Sequence, residues 1–251
     1  MTTPEAATER ETFEAFLSSL GADGRAAGPE WLRGVGEALF EAMEADAARD
    51  WARRVHLELV RLDGEVPFGV VHDWHHRSVQ PVLVEASERR GGVAARHQAV
   101  ADLHERASNG EWIGETAWAA ELRPALRELY GYAYAYAYAD AYAAAASAAG
   151  AYALANGYGE AEAAAYGASY AELNTEANAR AHADANALAN APAVAGALAA
   201  TDPAAYAATY PAARVRAVVR AHAEQDRTRT RDVGARLADG LADSLARVAA
   251  A

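Results

Sequence analysis

Cysteine and lysine are both missing from the 251 residues. Without cysteine there is no disulfide framework, no thiolate nucleophile and no thiolate metal site. Without lysine, all 23 basic residues are arginine; 35 acids face them and the formal charge is −12. That balance argues against a nucleic-acid partner, which needs clustered cations to meet phosphate. It argues equally against attraction to an anionic membrane. Glycine-rich phosphate loops, a Gly-x-Ser-x-Gly elbow and a His-Glu-x-x-His pair are also absent, and no cofactor is expected. Long runs of Leu, Ile, Val or Phe are scarce. The nearest to a membrane span, Gly131 to Gly159, is Ala and Tyr around Asp140, which would gain little in a bilayer. The first 20 residues carry Glu5, Glu9, Glu11 and Glu14 in place of a secretory leader, so the chain reads as cytoplasmic.

Alanine, by contrast, fills 71 positions. With arginine as the sole long cation, this has the look of codon usage in a GC-rich bacterium, which accounts for some of the alanine without any function. Composition divides the chain into three regions. Residues 1–130 hold all five tryptophans, with 14 arginines against 23 acids, a net of −9. Residues 131–200 hold 33 alanines and nine tyrosines with Arg180 as the one cation, and residues 201–251 return to ordinary charged helix. One compact domain is the expected arrangement.

Apolar residues recur at intervals of three and four throughout, which predicts an all-α, multi-helix bundle. Phe13, Phe16, Leu17 and Leu20 form one stripe, and Leu32, Val35, Leu39 and Met43 a second behind Gly28-Pro29. Trp51, Val55, Leu59 and Leu62 form a third that stops at Asp63-Gly64. A helix over about 70–90 is expected to bend at Pro81, whose ring crowds the preceding turn. The last helix carries Val233, Leu237, Leu241, Leu245 and Val248, and Arg227-Thr-Arg229-Thr-Arg231 before it reads as a solvated link.

Tyr132, Tyr134, Tyr136 and Tyr138 alternate with alanine, as a strand would. Alanine's helix propensity, the helical flanks and the lack of a second alternating run decide for helix. Wound as a helix, the run puts Tyr132, Tyr136 and Asp140 on one side and Tyr134, Tyr138 and Tyr142 on the other. Alanine alternates again over 176–191, and Asn156-Gly157-Tyr158-Gly159 stands between the two segments as a stop and turn. A long Ala/Tyr-rich antiparallel hairpin over about 125–155 and 160–190 follows, ended by Pro192. Asp202-Pro203 opens the next helix as cap and first turn, with a kink at Pro211.

Two clusters carry candidate chemistry. Asn174, Asn178, His182, Asn186 and Asn190 stand four apart along the second arm. Buried amides need partners, and the tyrosine hydroxyls of the first arm could supply them. The expected site is a polar interhelical cleft lined by Tyr134, Tyr138, Tyr142, Asn174, Asn178, Asp184 and Asn186. There a small organic molecule would be held, with His182 and His76 as acid–base groups near neutrality. Six of the eight histidines fall between 56 and 104, and His72 and His76 are spaced like a helical metal pair. The pair lacks the Glu-x-x-His partner of di-iron bundles, so no metal is assigned. The rival reading is a non-catalytic scaffold whose Ala/Tyr helices bury against a second copy. A metal-dependent enzyme built on the histidine-rich helices comes third.

Overall fold

Four tryptophans anchor the bundle. The computed structural model describes residues 11–21, 28–135 and 137–248, with backbone alone at 137–141 and 176–177. Trp31, Trp51, Trp74 and Trp118 are buried, and Trp112 is exposed. The Trp51 indole N–H donates to the Ala238 carbonyl at 2.7 Å and that of Trp74 to the Leu237 carbonyl at 2.9 Å. Both rings are thereby tied to one turn of the C-terminal helix. These bonds offset the cost of burying the two indole N–H groups, whereas that of Trp31 is buried without a partner.

Among the described residues every regular element is a helix. In order they are α1 (Phe13–Ser19), α2 (Glu30–Ala42), α3 (Ala45–Arg61) and α4 (Gly69–Trp74), then a π turn (His75–Val79). After it come α5 (Gln80–Arg89), α6 (Ala94–Ser108), α7 (Glu115–Ala135), α8 (Ala137–Ala155) and α9 (Glu160–Ala200). The chain closes with α10 (Pro203–Ala208), α11 (Pro211–Ala223) and α12 (Arg227–Val248). The fold is an all-α bundle, as the periodicity predicts. Val35, Leu39, Val55, Leu59, Val233, Leu237, Leu241 and Leu245 are fully or almost fully buried, so these stripes meet in one core. No described helix is long and apolar enough to cross a membrane.

Three local expectations need correction. The break in the 70–90 helix falls at the π turn, just before Pro81, which stands at the start of α5. A wider turn takes up the hydrogen bond that proline cannot donate and the crowding of its ring. Pro192 does not end its helix: α9 runs through it to Ala200. An interior proline costs about 3 kcal/mol, but Val194, Ala195 and Leu198 beyond it are buried in the core and hold the last turns in place. The arginines at 227–231 are the first turn of α12, capped by Asp226, whose carboxylate accepts from the N–H of Thr228 and Arg229 at 2.8 and 3.0 Å.

The alanine-rich tract forms α8 and the first half of α9. Their contacts pair Tyr142 with Ala168, Ala146 with Gly167, and Gly150 with Ala163; sequence rises along one helix as it falls along the other. The seam between them is Ala149, Ala153, Ala163 and Ala171, all buried. α8 packs on α9 with a small share from α7, and makes no comparable contact with the rest of the bundle.

Candidate functional site

A cleft of about 740 Å³ opens between α6, α7, α8 and α9. Its floor is small: Gly131, Ala135, Ala179 and Ala183. Alanine on two facing helices leaves a gap where longer side chains would have filled it. Tyr132 and Tyr142 stand at its sides. Around the rim are three arginines, Arg96, Arg127 and Arg180, and three acids, Glu128, Glu172 and Asp184. Arg127 bridges the mouth to Asp184, with a Nη2–Oδ2 distance of 3.1 Å and a second contact from its Nε.

Glu128 is the best-held of these acids. It is buried, and accepts from the Ser87 hydroxyl, the Tyr132 hydroxyl at 2.9 Å, the Val93 N–H at 3.1 Å and Arg96 at 2.8 Å. Burial alone would raise its pKa. The hydrogen bonds from Ser87, Tyr132 and Arg96 together outweigh that and hold it below the usual glutamate value. Glu128 is therefore a fixed anion at the cleft wall.

Of the residues expected to line a cleft, Tyr142 and Asp184 do so. Tyr134 is half-buried and its ring stacks on Tyr130 at 6.0 Å. The Tyr138 side chain lies outside the described residues. The asparagine ladder is not turned inward: Asn174, Asn178 and His182 are exposed and Asn186 is half-buried. The Asn174 amide donates to the Tyr170 carbonyl at 2.7 Å, that of Asn186 to His182 at 2.9 Å, and that of Asn190 to Asn186 at 2.8 Å. Each reaches back one turn along its own helix, so the amides are satisfied locally without the tyrosine hydroxyls. His182 does not line the cleft, nor does His76, whose Nδ1 lies 3.3 Å from the Ala101 carbonyl on α6.

No family model, curated protein or solved structure matches this chain. The site must be read from its own chemistry.

The histidines converge elsewhere, inside the bundle. His72 does not pair with His76. Its Nδ1 lies 3.1 Å from Nδ1 of His104, and its ring stacks on Trp118. His75 stacks on His104 with centroids 4.6 Å apart, and its Nε2 lies 2.9 Å from the Tyr206 hydroxyl. Burial lowers the His72 pKa to about 4 and, with help from Arg214 and His72, that of His75 to about 3. His75 retains some surface, but protein packs densely around it, so the neutral form is expected. His104 is pushed well below its ordinary value for the same reason. Among the described residues no three His, Asp or Glu side chains are grouped to hold a metal ion. Sequence reading missed both this cluster's pairing and the cation beside it, Arg214.

Proposed function

We propose that this protein binds a small organic molecule in the outer cleft between α6, α7, α8 and α9. The ligand class is a flat, mainly apolar body with polar groups at its edge. The observation that carries this reading is the cleft itself: about 740 Å³, floored by alanine and glycine, sided by tyrosine and rimmed by fixed charge. That volume lies in the range of drug-sized ligand sites, which combine apolar walls with a few placed polar groups. Balanced charge at the rim favours neither a pure anion nor a pure cation. Because neither His182 nor His76 reaches the cleft, the proposal is binding, without acid–base chemistry by those groups.

The amphipathic arene 8-anilinonaphthalene-1-sulfonate is a suitable probe. It should bind the folded protein saturably at one site, and Ala179→Trp, which fills the floor, should abolish that signal with far-UV dichroism and the thermal midpoint unchanged. Unaltered binding by the variant overturns the assignment.

Self-association is the second reading, favoured by one observation. On the arm formed by α8 and α9, Tyr152, Leu154, Tyr158, Tyr166, Tyr170 and Leu173 are exposed. Such a run of large apolar groups on an alanine-seamed pair is a surface that a second copy could cover.

A further inference from the structure

Arg214 lies on α11 at 7% exposure, inside the bundle. Its Nη1 donates to the Thr209 carbonyl at 2.5 Å and its Nη2 to the Thr209 hydroxyl at 2.9 Å, and its guanidinium lies 5.4 Å from the Tyr206 ring centroid. All these partners are neutral. Among the described residues no carboxylate pairs with it. A guanidinium cannot discharge by losing its proton, so a buried, unpaired arginine is an expensive group to keep.

Arg214 also forms part of the wall of a small, partly enclosed cavity of about 50 Å³, separate from the outer cleft. The rest of that wall is chiefly aliphatic, with Leu122, Leu126, Val194, Leu198 and Val218 among its members. Four other polar residues reach it: His75, Gln80, His104 and Tyr206. Two of them are short of partners. With the Tyr206 hydroxyl donating to His75 Nε2, the proton of this neutral ring sits on Nδ1, which is buried and unbonded. Gln80 is 5% exposed and its Oε1 is buried without a partner; an amide turned end for end offers N–H₂ in its place. One cation and two orphaned polar groups thus border a space otherwise fit for alkyl groups.

We propose that this internal cavity is a second binding site, specific for a short-chain aliphatic monocarboxylate, whose carboxylate pairs with Arg214 while its alkyl group lies against the leucines and valines. An anion there supplies the missing counter-charge, and the His75 Nδ1–H can donate to it. Size selects the chain length. Each water-sized unit needs about 10–15 Å³ of such space, which gives about three to five heavy atoms, the range that admits acetate and propionate. Arginine is suited to this role because its planar fork matches a carboxylate.

The test is thermal denaturation and calorimetry of the folded protein with acetate, propionate, butyrate and isobutyrate at constant ionic strength, with propionamide as the neutral match. Acetate or propionate should raise Tm saturably by several degrees, and propionamide should not. Arg214→Met should remove the response, while Arg214→Lys should keep it at about tenfold weaker affinity. Should Arg214→Met fail to fold, Val194→Phe fills the cavity and leaves the cation in place; it should remove the response too. Ala179→Trp blocks only the outer cleft and should leave the carboxylate response intact, so this proposal and that of the outer cleft stand or fall separately. No saturable effect from any of the acids up to about 10 mM overturns it. So does an equal effect from propionamide, or a response that survives both Arg214→Met and Val194→Phe.

Discussion

His72 and His104 face each other through their Nδ1 atoms, 3.1 Å apart, in the bundle interior. Only one of the two can carry the proton between them, so both cannot be charged, and burial favours the neutral form of each. His75 joins them by stacking on His104. His97, buried near Glu128, is pushed by burial to about 4 although Glu128 pulls the other way.

Acid should therefore unfold this protein earlier than its carboxylates require. In the unfolded chain these histidines titrate near 6.5; in the folded chain His72 and His97 titrate near 4. Between those values the unfolded state binds more protons, so stability falls as pH drops through the window, by about 1.4 kcal/mol per pH unit for each such group. The paired carboxylates Asp73 and Glu85 have lowered pKa values and give up their contribution only below the ordinary carboxylate range. Urea unfolding at pH 7.5, 6.0 and 5.0 should show a steep loss already by pH 5. Constant stability over that range contradicts the neutral cluster.

Two glycines in the helical hairpin should respond in opposite directions to the same substitution. Gly131 on α7 has open space where a Cβ would stand. Gly131→Ala should add about 0.5–1 kcal/mol, the ordinary gain of alanine over glycine in a helix. At Gly167 on α9 a Cβ would run into the backbone carbonyl of Ala146 on α8. Gly167→Ala should destabilise, against its helix propensity, because backbone must move to admit the methyl group. Thermal melts of the two variants measure both signs, and a gain at Gly167 would refute the close seam.

The exposed arm predicts concentration-dependent self-association. Light scattering should give a mass above the 26.4 kDa of one chain at high concentration, and Tyr166→Glu with Tyr170→Glu should return it to the monomer. A monomer at all concentrations removes the second reading and leaves the cleft untouched.

The stripes that built the core were open to sequence reading, because Trp51, Val55 and Leu59, or Val233, Leu237 and Leu241, repeat at helical spacing with polar residues between them. The course of α9 through Pro192 was not: it depends on burial of Val194 and Leu198 by elements far away in sequence, which overrides a local breaker. The π turn likewise shows in the sequence only as Pro81, two residues beyond its end. For the site, alanine and tyrosine marked the right helices, but of the named residues whose side chains are described only Tyr142 and Asp184 face the cleft. Asparagine every fourth residue suggested a polar interior; the same spacing equally suits an amide bonding to the carbonyl one turn back. Arg214 did leave a signal: it stands among Pro211, Val215 and Val218 at helical spacing, a charge on an apolar face.

The decisive measurement for the outer cleft is amide chemical-shift mapping of the folded protein titrated with 8-anilinonaphthalene-1-sulfonate. The account predicts saturable shifts confined to α7 around Arg127 and Gly131 and to α9 around Thr175, Ala179 and Ala183. Shifts centred on His75, Leu122 and Leu198, or scattered without saturation, would contradict it.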